Sequence, residues 1–184
     1  DPAGAAGVAD MAGAANATRM IGTTSTTSMA TTTTTTTTAG VVGVWVGGGE
    51  LAERVGRLAR SAPGPPVLLA GERTDIQEIL PAFDVFVLPS RYEGLPTAVV
   101  EAMVCGIPVV ATAVNAVGDV VVPGETGLLV PPHRPDLLAE AVNYLLDRPD
   151  TAARMATNAR ERLGTRFDVT TLRDTLAAAY TDQR

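Results

Sequence analysis

Two carboxylates flank a short turn near the middle of the chain. Glu93 and Glu101 are separated by seven residues that read GLPTAVV. Ionised carboxylates accept hydrogen bonds only, and they form strong, directional bonds with hydroxyl donors. Their spacing therefore suits a ligand that carries several hydroxyl groups. Surface glutamates are usually solvated, so the alternative is that both simply face water.

The residues between the two carboxylates predict the start of a helix. Pro96 fits the first helical position, because the N–H that it lacks would have no partner there, so the helix is expected to begin near Leu95 or Pro96. The amides of Thr97 and its neighbours then present partial positive charge, and Gly94 lets an anion approach closely. Side chains on a helix lean towards its N-terminus, so Glu101 points to the same end. Phosphates at the helix end and hydroxyls at the carboxylates predict a nucleotide sugar.

Apolar stretches that alternate with helical patterns are expected to position this turn. They cover residues 41–46, 67–70, 84–88, 107–111 and 127–130. The alternation predicts an α/β fold, with a Rossmann-like, mainly parallel sheet and helices on both faces. Ligands of such sheets bind beyond the carboxyl ends of the strands, and Glu93 follows the third stretch.

Several other residues have expected structural roles at helix ends. Asp75 with Glu78 predicts a capping box, and Asp136 can cap the helix that follows it. Gly106, followed by Pro108, predicts the end of the helix that carries Glu101. We therefore do not count these acids as catalytic.

A longer stretch around Glu93 resembles a known family. The segment SRYEGLPTAVVEAMVCGIPVVAT at 90–112, with GETGLLVPP at 124–132, resembles the donor-binding domain of group 1 (family 4) glycosyltransferases of the GT-B fold. VWVGGGELAERV at 44–55 and the helical pattern at 135–163 extend the likeness, which covers about residues 41–184. The resemblance implies one half of a GT-B fold.

The resemblance implies roles for the matching residues. Glu93 contacts hydroxyls of the donor sugar and is the candidate catalytic residue, whereas Glu101 holds the ribose hydroxyls. Backbone amides of Gly94, Leu95 and Thr97 contact sugar and phosphate oxygens. No metal or other cofactor is expected.

Three further positions follow from the resemblance. Gly47 and Gly48 are expected to line the cleft near the donor. Arg73 lies where the family meets the nucleobase and can stack on it, the alternative being an ordinary surface arginine. One loop departs from the family pattern, since Asn115 and Ala116 stand where glycines are common, and this change is expected to remove backbone room beside the donor.

The implied function is that of a retaining, hexosyltransferase-like glycosyltransferase. It transfers a sugar from a nucleotide-diphosphate sugar to a hydroxyl acceptor, and this chain is its donor-binding part. The alternative is a non-catalytic nucleotide-sugar-binding module, or an inactive fragment of a split or decayed enzyme. The chain contains no lysine, and its one histidine, His133, matches no family role. A missing N-terminal domain or a second chain is therefore an expected partner.

Composition divides the chain into two parts. Residues 1–40 are almost all small or polar, with eight consecutive threonines, and predict a disordered, low-complexity segment; residues 41–184 form the predicted donor-binding domain. A net charge of −6 argues against nucleic-acid binding. Lone Cys105 is expected to be a small core residue. The chain has no apolar run long enough for a membrane span and no signal pattern, so a cytoplasmic location is expected.

Overall fold

A six-stranded parallel sheet forms the centre of the protein. The computed structural model describes residues 19–24, 40–164 and 171. The strand order is β3-β2-β1-β4-β5-β6. In chain order the strands are β1 (Arg19–Thr24), β2 (Val41–Val46), β3 (Val67–Gly71), β4 (Val85–Leu88), β5 (Val109–Thr112) and β6 (Leu128–Val130).

Helices connect the strands after β2. They are α1 (Ala52–Ser61), α2 (Ile76–Ile79) with a 3₁₀ turn at Leu80–Ala82, α3 (Thr97–Val104), α4 (Val117–Val120), α5 (Pro135–Leu146) and α6 (Pro149–Leu163). Among the described residues, no helix has both the length and the apolar character needed to cross a membrane.

Helices cover both faces of the sheet at β4 and β5, whereas Val67, Leu68 and Leu69 of β3 are exposed. In β4, Phe86 and Leu88 pack in one core cluster together with Met103 of α3. Val85 and Val87, which point the other way, pack in a second cluster together with Leu145 of α5. Successive strand side chains alternate between faces, so a continuous apolar run is what a strand covered on both sides requires. The predicted fold class, an α/β fold with a Rossmann-like parallel sheet and helices on both faces, is confirmed.

The predicted strand positions agree with the structure to within two residues. The stretches at 84–88 and 107–111, for example, correspond to Val85–Leu88 and Val109–Thr112. The predictions missed β1, which lies inside the segment expected to be disordered. That expectation is wrong for these six residues, since β1 pairs with β2 on one side and with β4 on the other. The rest of 1–39 and the C-terminal positions 165–170 and 172–184 lie outside the described residues.

Helix α3 is held in place along one side. Val99, Ala102 and Met103 are fully buried, and each fully buried side chain of valine or methionine size contributes roughly 1.5–3 kcal/mol. The helix ends as predicted at Gly106, which has a φ of 74°. The amide of Gly106 donates to Met103 O (3.0 Å) and that of Ile107 to Ala102 O (2.9 Å), the pattern of a Schellman motif. Both features fix the position of the helix's N-terminal end.

Candidate functional site

The predicted site residues gather at the carboxyl edge of the sheet. Gly47 and Gly48 directly follow β2, Arg73 follows β3 by two residues, and Glu93 lies in the loop after β4. The strand order changes direction around β1, since β2 and β3 lie on one side of it and β4 on the other. Sheets of this order bind ligands in the crevice at that point. Glu93 therefore follows a strand that borders the crevice.

The sheet geometry sets the span of this edge. Neighbouring strands are about 4.8 Å apart, so the ends of β2 and β4, with β1 between them, are separated by about 10 Å. The end of β3 is about 14 Å from that of β4 by the same reasoning. A ligand that contacts both Glu93 and Arg73 has to be extended along the edge.

Glu93 is hydrogen-bonded to a residue that lies just after its own strand, β4. Residues 89–96, which we call the Glu93 loop, run from the end of β4 to the start of α3. The hydroxyl of Ser90 donates a hydrogen bond to Glu93 Oε1. The hydroxyl of Thr112, the last residue of β5, donates to the Ser90 carbonyl at 2.5 Å. Ser90 and Thr112 are only 2% and 5% exposed, so this link is shielded from water.

Sequence reasoning missed Ser90 and Thr112. Each places a small hydroxyl at the end of an apolar run, VFVLP before Ser90 and VVA before Thr112. β4 and β5 pair in parallel, with Leu88 opposite Ala111, so the two run ends lie next to each other. Hydroxyl residues at the carboxyl ends of adjacent buried strands are a signal that could have identified both.

The start of α3 differs from the prediction by one residue. Pro96 is the residue before the helix, because its ψ of 62° lies outside the helical range. The amide of Thr97, which was expected to be available, donates to Leu95 O at 2.9 Å. Within the part of the chain that the structure describes, no hydrogen bond uses the amides of Gly94, Leu95 or Ala98. Among the described residues at this helix end, the backbone amides without a hydrogen bond are therefore those of Gly94, Leu95 and Ala98, whereas the prediction named Gly94, Leu95 and Thr97.

The end of α3 is open to solvent. Gly94 and Thr97 are exposed, and Leu95 is 63% exposed. Glu101 is also exposed, four residues after Thr97 and therefore on the same face of the helix, about 6 Å further along its axis. Glu93 is half-buried. The structure thus leaves the helix end accessible, with one carboxylate in the loop before it and the other on its exposed face.

The glycine loop after β2 lies against the loop after β3. Gly47 has a φ of 135°, and its amide donates to Gly71 O at 2.7 Å. A Cβ added at Gly48 would lie 2.7 Å from Cγ of Glu72. Gly47 therefore has a backbone conformation that favours glycine, whereas a side chain at Gly48 would have to displace only the flexible Glu72 side chain.

Arg73 is paired with Asp75. Its Nε donates to Oδ1 at 2.8 Å and its Nη2 to Oδ2 at 2.5 Å. This bond lowers the pKa of Asp75 and raises that of Arg73. Asp75 makes no capping hydrogen bond to α2, so the predicted capping box is wrong. Stacking of Arg73 on a nucleobase stays a prediction.

The loop after β5 keeps a conformation that glycine adopts easily. Asn115 has a φ of 36°, in the left-handed region that asparagine tolerates better than most residues. Ala116 has an ordinary right-handed helical conformation, with φ of −67°. Only Asn115 of the two therefore takes a backbone shape that favours glycine.

No metal site is found in the described residues, where no three His, Cys, Asp or Glu side chains form a group that could hold a cation.

Cys105 is half-buried at the end of α3. Burial, followed by the charge of Glu101, raises the pKa of its thiol.

The sequence is similar to those of known proteins. The model of the family "Glycosyl transferases group 1" matches residues 36–162. The alpha-D-kanosaminyltransferase of Streptomyces kanamyceticus is 40% identical over 97 residues, which cover 53% of this chain and 25% of that protein. The lipopolysaccharide core mannosyltransferase LpsB of Rhizobium meliloti is 37% identical over 134 residues, covering 71% and 37%.

A solved structure extends the likeness to nearly the whole chain. The Anabaena protein HepE, crystallised in complex with UDP and glucose, superimposes with a TM-score of 0.79 and 25% sequence identity. The alignment covers 99% of this chain and 53% of HepE. The chain thus spans between a quarter and about half of the length of these relatives.

Proposed function

The chain belongs to the group 1 glycosyltransferases, and we propose that it is the donor-binding part of an enzyme that transfers a sugar from a nucleotide diphosphate to a hydroxyl acceptor. The observation that carries this proposal is the exposed N-terminal end of α3, with Glu93 held beside it by Ser90. Open amides there suit a diphosphate, and the carboxylates suit hydroxyl groups.

Each side chain has a distinct task in this proposal. Glu93 accepts hydrogen bonds from hydroxyls of the donor sugar, and Glu101, on the exposed face of α3, accepts those of the ribose. The amides of Gly94, Leu95 and Ala98 take sugar or phosphate oxygens. Two carboxylates beside a phosphate would otherwise repel it, so their presence is consistent with a ligand that brings hydroxyls to the same place.

We further propose that transfer retains the anomeric configuration and that preorganised amides stabilise the departing diphosphate. Fixed dipoles that face developing charge lower the barrier, because they need no reorganisation during the reaction. NMR of the product's anomeric proton decides between retention and inversion. Activity that persists in EDTA would support transfer without a resident metal.

Calorimetric titration with nucleotide sugars tests the donor site. UDP-glucose is the first probe, because HepE was crystallised with UDP and glucose. GDP-mannose and ADP-glucose follow, and the affinity of each nucleotide sugar is compared with that of its nucleoside diphosphate. Glu93→Ala should weaken UDP-glucose but not UDP. Loss of a charged hydrogen bond costs about 1.5–3 kcal/mol, or roughly a 10- to 150-fold loss of affinity.

Glu101→Ala should weaken UDP and UDP-glucose equally, since the ribose is common to both. Glu140→Ala, an exposed carboxylate on α5, is the matched control and should change neither. Transfer by the Glu93→Ala enzyme should be abolished. Equal, small effects of the Glu93 and Glu101 changes would count against the assigned roles.

The second candidate is a binding module without catalysis. It needs only the donor site that Glu93 and the exposed N-terminal end of α3 would provide. Binding of UDP-glucose without transfer to any acceptor, by the protein that contains the full chain, would support it.

A further inference from the structure

The strongest unassigned feature of the site is the pair of buried hydroxyls behind Glu93. Ser90 is only 2% exposed, and its hydroxyl donates to Glu93 Oε1. Thr112 in turn bonds the Ser90 carbonyl at 2.5 Å and approaches Leu88 O at 3.4 Å. The two hydroxyls thus link the end of β5, the end of β4 and the Glu93 carboxylate.

A glutamate in a loop has three rotatable bonds, and fixing such a side chain has a cost in conformational entropy. A ligand that needs Glu93 in one orientation bears this cost unless the protein has already fixed the side chain. Ser90 occupies Oε1, and each carboxylate oxygen has two lone pairs. Oε2 has no partner among the described residues, so it remains available to a hydroxyl of the ligand.

We propose that Ser90, anchored by Thr112, is a positioning residue that orients the Glu93 carboxylate towards the donor sugar. The inference rests on the proposed donor-binding function. Ser90 should therefore affect ligand affinity selectively, because the residue acts only through Glu93 and so only on the sugar half of the ligand. The nucleotide half, which Glu93 does not contact, should be bound normally without the Ser90 hydroxyl.

Calorimetry with paired ligands measures this selectivity. The quantity of interest is the ratio of the Kd for UDP to the Kd for UDP-glucose, measured on the full chain. Ser90→Ala should lower this ratio about 3- to 10-fold, the loss of one buried hydrogen bond, while the Kd for UDP stays unchanged. A role of Ser90 in stability alone would lower the Tm and leave the ratio as in the wild type, which would overturn the inference.

A double-mutant cycle shows whether the effect passes through Glu93. In the Glu93→Ala background, Ser90→Ala should cause little further loss, because the side chain that Ser90 orients is already absent. Additive losses would overturn the inference. If Ser90→Ala does not fold, Ser90→Cys keeps the volume with a weaker donor, and its ratio should fall in the same direction.

The controls separate the inference from the function on which it rests. If the wild-type chain binds none of the nucleotides or nucleotide sugars, both the proposed function and the inference fail. If it binds UDP-glucose more tightly than UDP and Ser90→Ala keeps that preference, the inference alone fails. Thr157→Ala removes an exposed hydroxyl that bonds Ala153 O within α6, and it should leave the ratio unchanged.

Discussion

Replacing Thr112 with valine tests the hydrogen bond that joins β5 to the Glu93 loop. Valine keeps nearly the shape of threonine, so the change removes the hydroxyl and little else. Thr112 is 5% exposed and its hydroxyl lies 2.5 Å from Ser90 O. Loss of a buried hydrogen bond that leaves its acceptor unsatisfied costs about 1–3 kcal/mol.

Urea denaturation and a thermal scan measure this cost. For a chain of this size, each kcal/mol lowers the Tm by about 2–4 °C, so Thr112→Val should melt about 2–12 °C below the wild type. Thr112→Ser is the matched control, because it keeps the hydroxyl and loses only a methyl group, a change of about 0.5–1.5 kcal/mol. The expected order of stability is wild type, then serine, then valine.

The same variants carry a functional readout. Because Thr112 anchors Ser90, the valine variant should also lose part of its preference for UDP-glucose over UDP, whereas the serine variant should keep it. A Thr112→Val protein as stable as the wild type would refute the energetic reasoning. Unchanged preference in a destabilised valine variant would restrict the role of Thr112 to folding.

Two further predictions concern other parts of the fold. A Cβ at Gly127 would lie 2.9 Å from the backbone oxygen of Val109, so Gly127→Ala should lower the free energy of unfolding by about 1–3 kcal/mol; Gly118→Ala, in open space within α4, should be neutral or stabilising in the same urea titration. Arg134 bonds Asp136 and lowers the pKa of that carboxyl from 3.8 to about 2. The pair therefore stabilises the fold above pH 3.8 and loses this effect as the pH falls through 2. In the Arg134→Gln variant, NMR titration should show that the titration midpoint of Asp136 moves up towards 3.8. An unchanged midpoint would contradict this prediction.

The sequence predicted those features that depend on local patterns. The apolar stretch at 84–88 predicted β4, because a strand buried on both faces consists mainly of apolar residues. Gly106 predicted the end of α3, because few other residues adopt its positive φ without strain. Glu93 and Glu101 were assigned to the carboxyl edge of the sheet and the start of a helix for similar reasons.

Features that depend on the hydrogen-bond partner of a particular side chain were missed. Ser90 and Thr112 are 22 residues apart along the chain, and only the pairing of β4 with β5 brings them together. Asp75 had a helix-capping position by its sequence, yet Arg73, two residues earlier, takes both of its oxygens. The guanidinium donates two charge-assisted bonds to this carboxylate, where a capping amide donates one, which explains why the local rule did not apply.

The central position of β1 in the sheet determines where a shortened version of the protein can begin. A shortened protein that starts after the run of threonines looks attractive, since it removes low-complexity sequence, but it deletes Arg19–Thr24. Those residues bridge Val41–Val46 and Val85–Phe86, so two sheet fragments would each expose an unsatisfied edge of N–H and C=O groups. Such edges promote aggregation, and expression trials of the donor-binding unit should therefore begin upstream of Arg19.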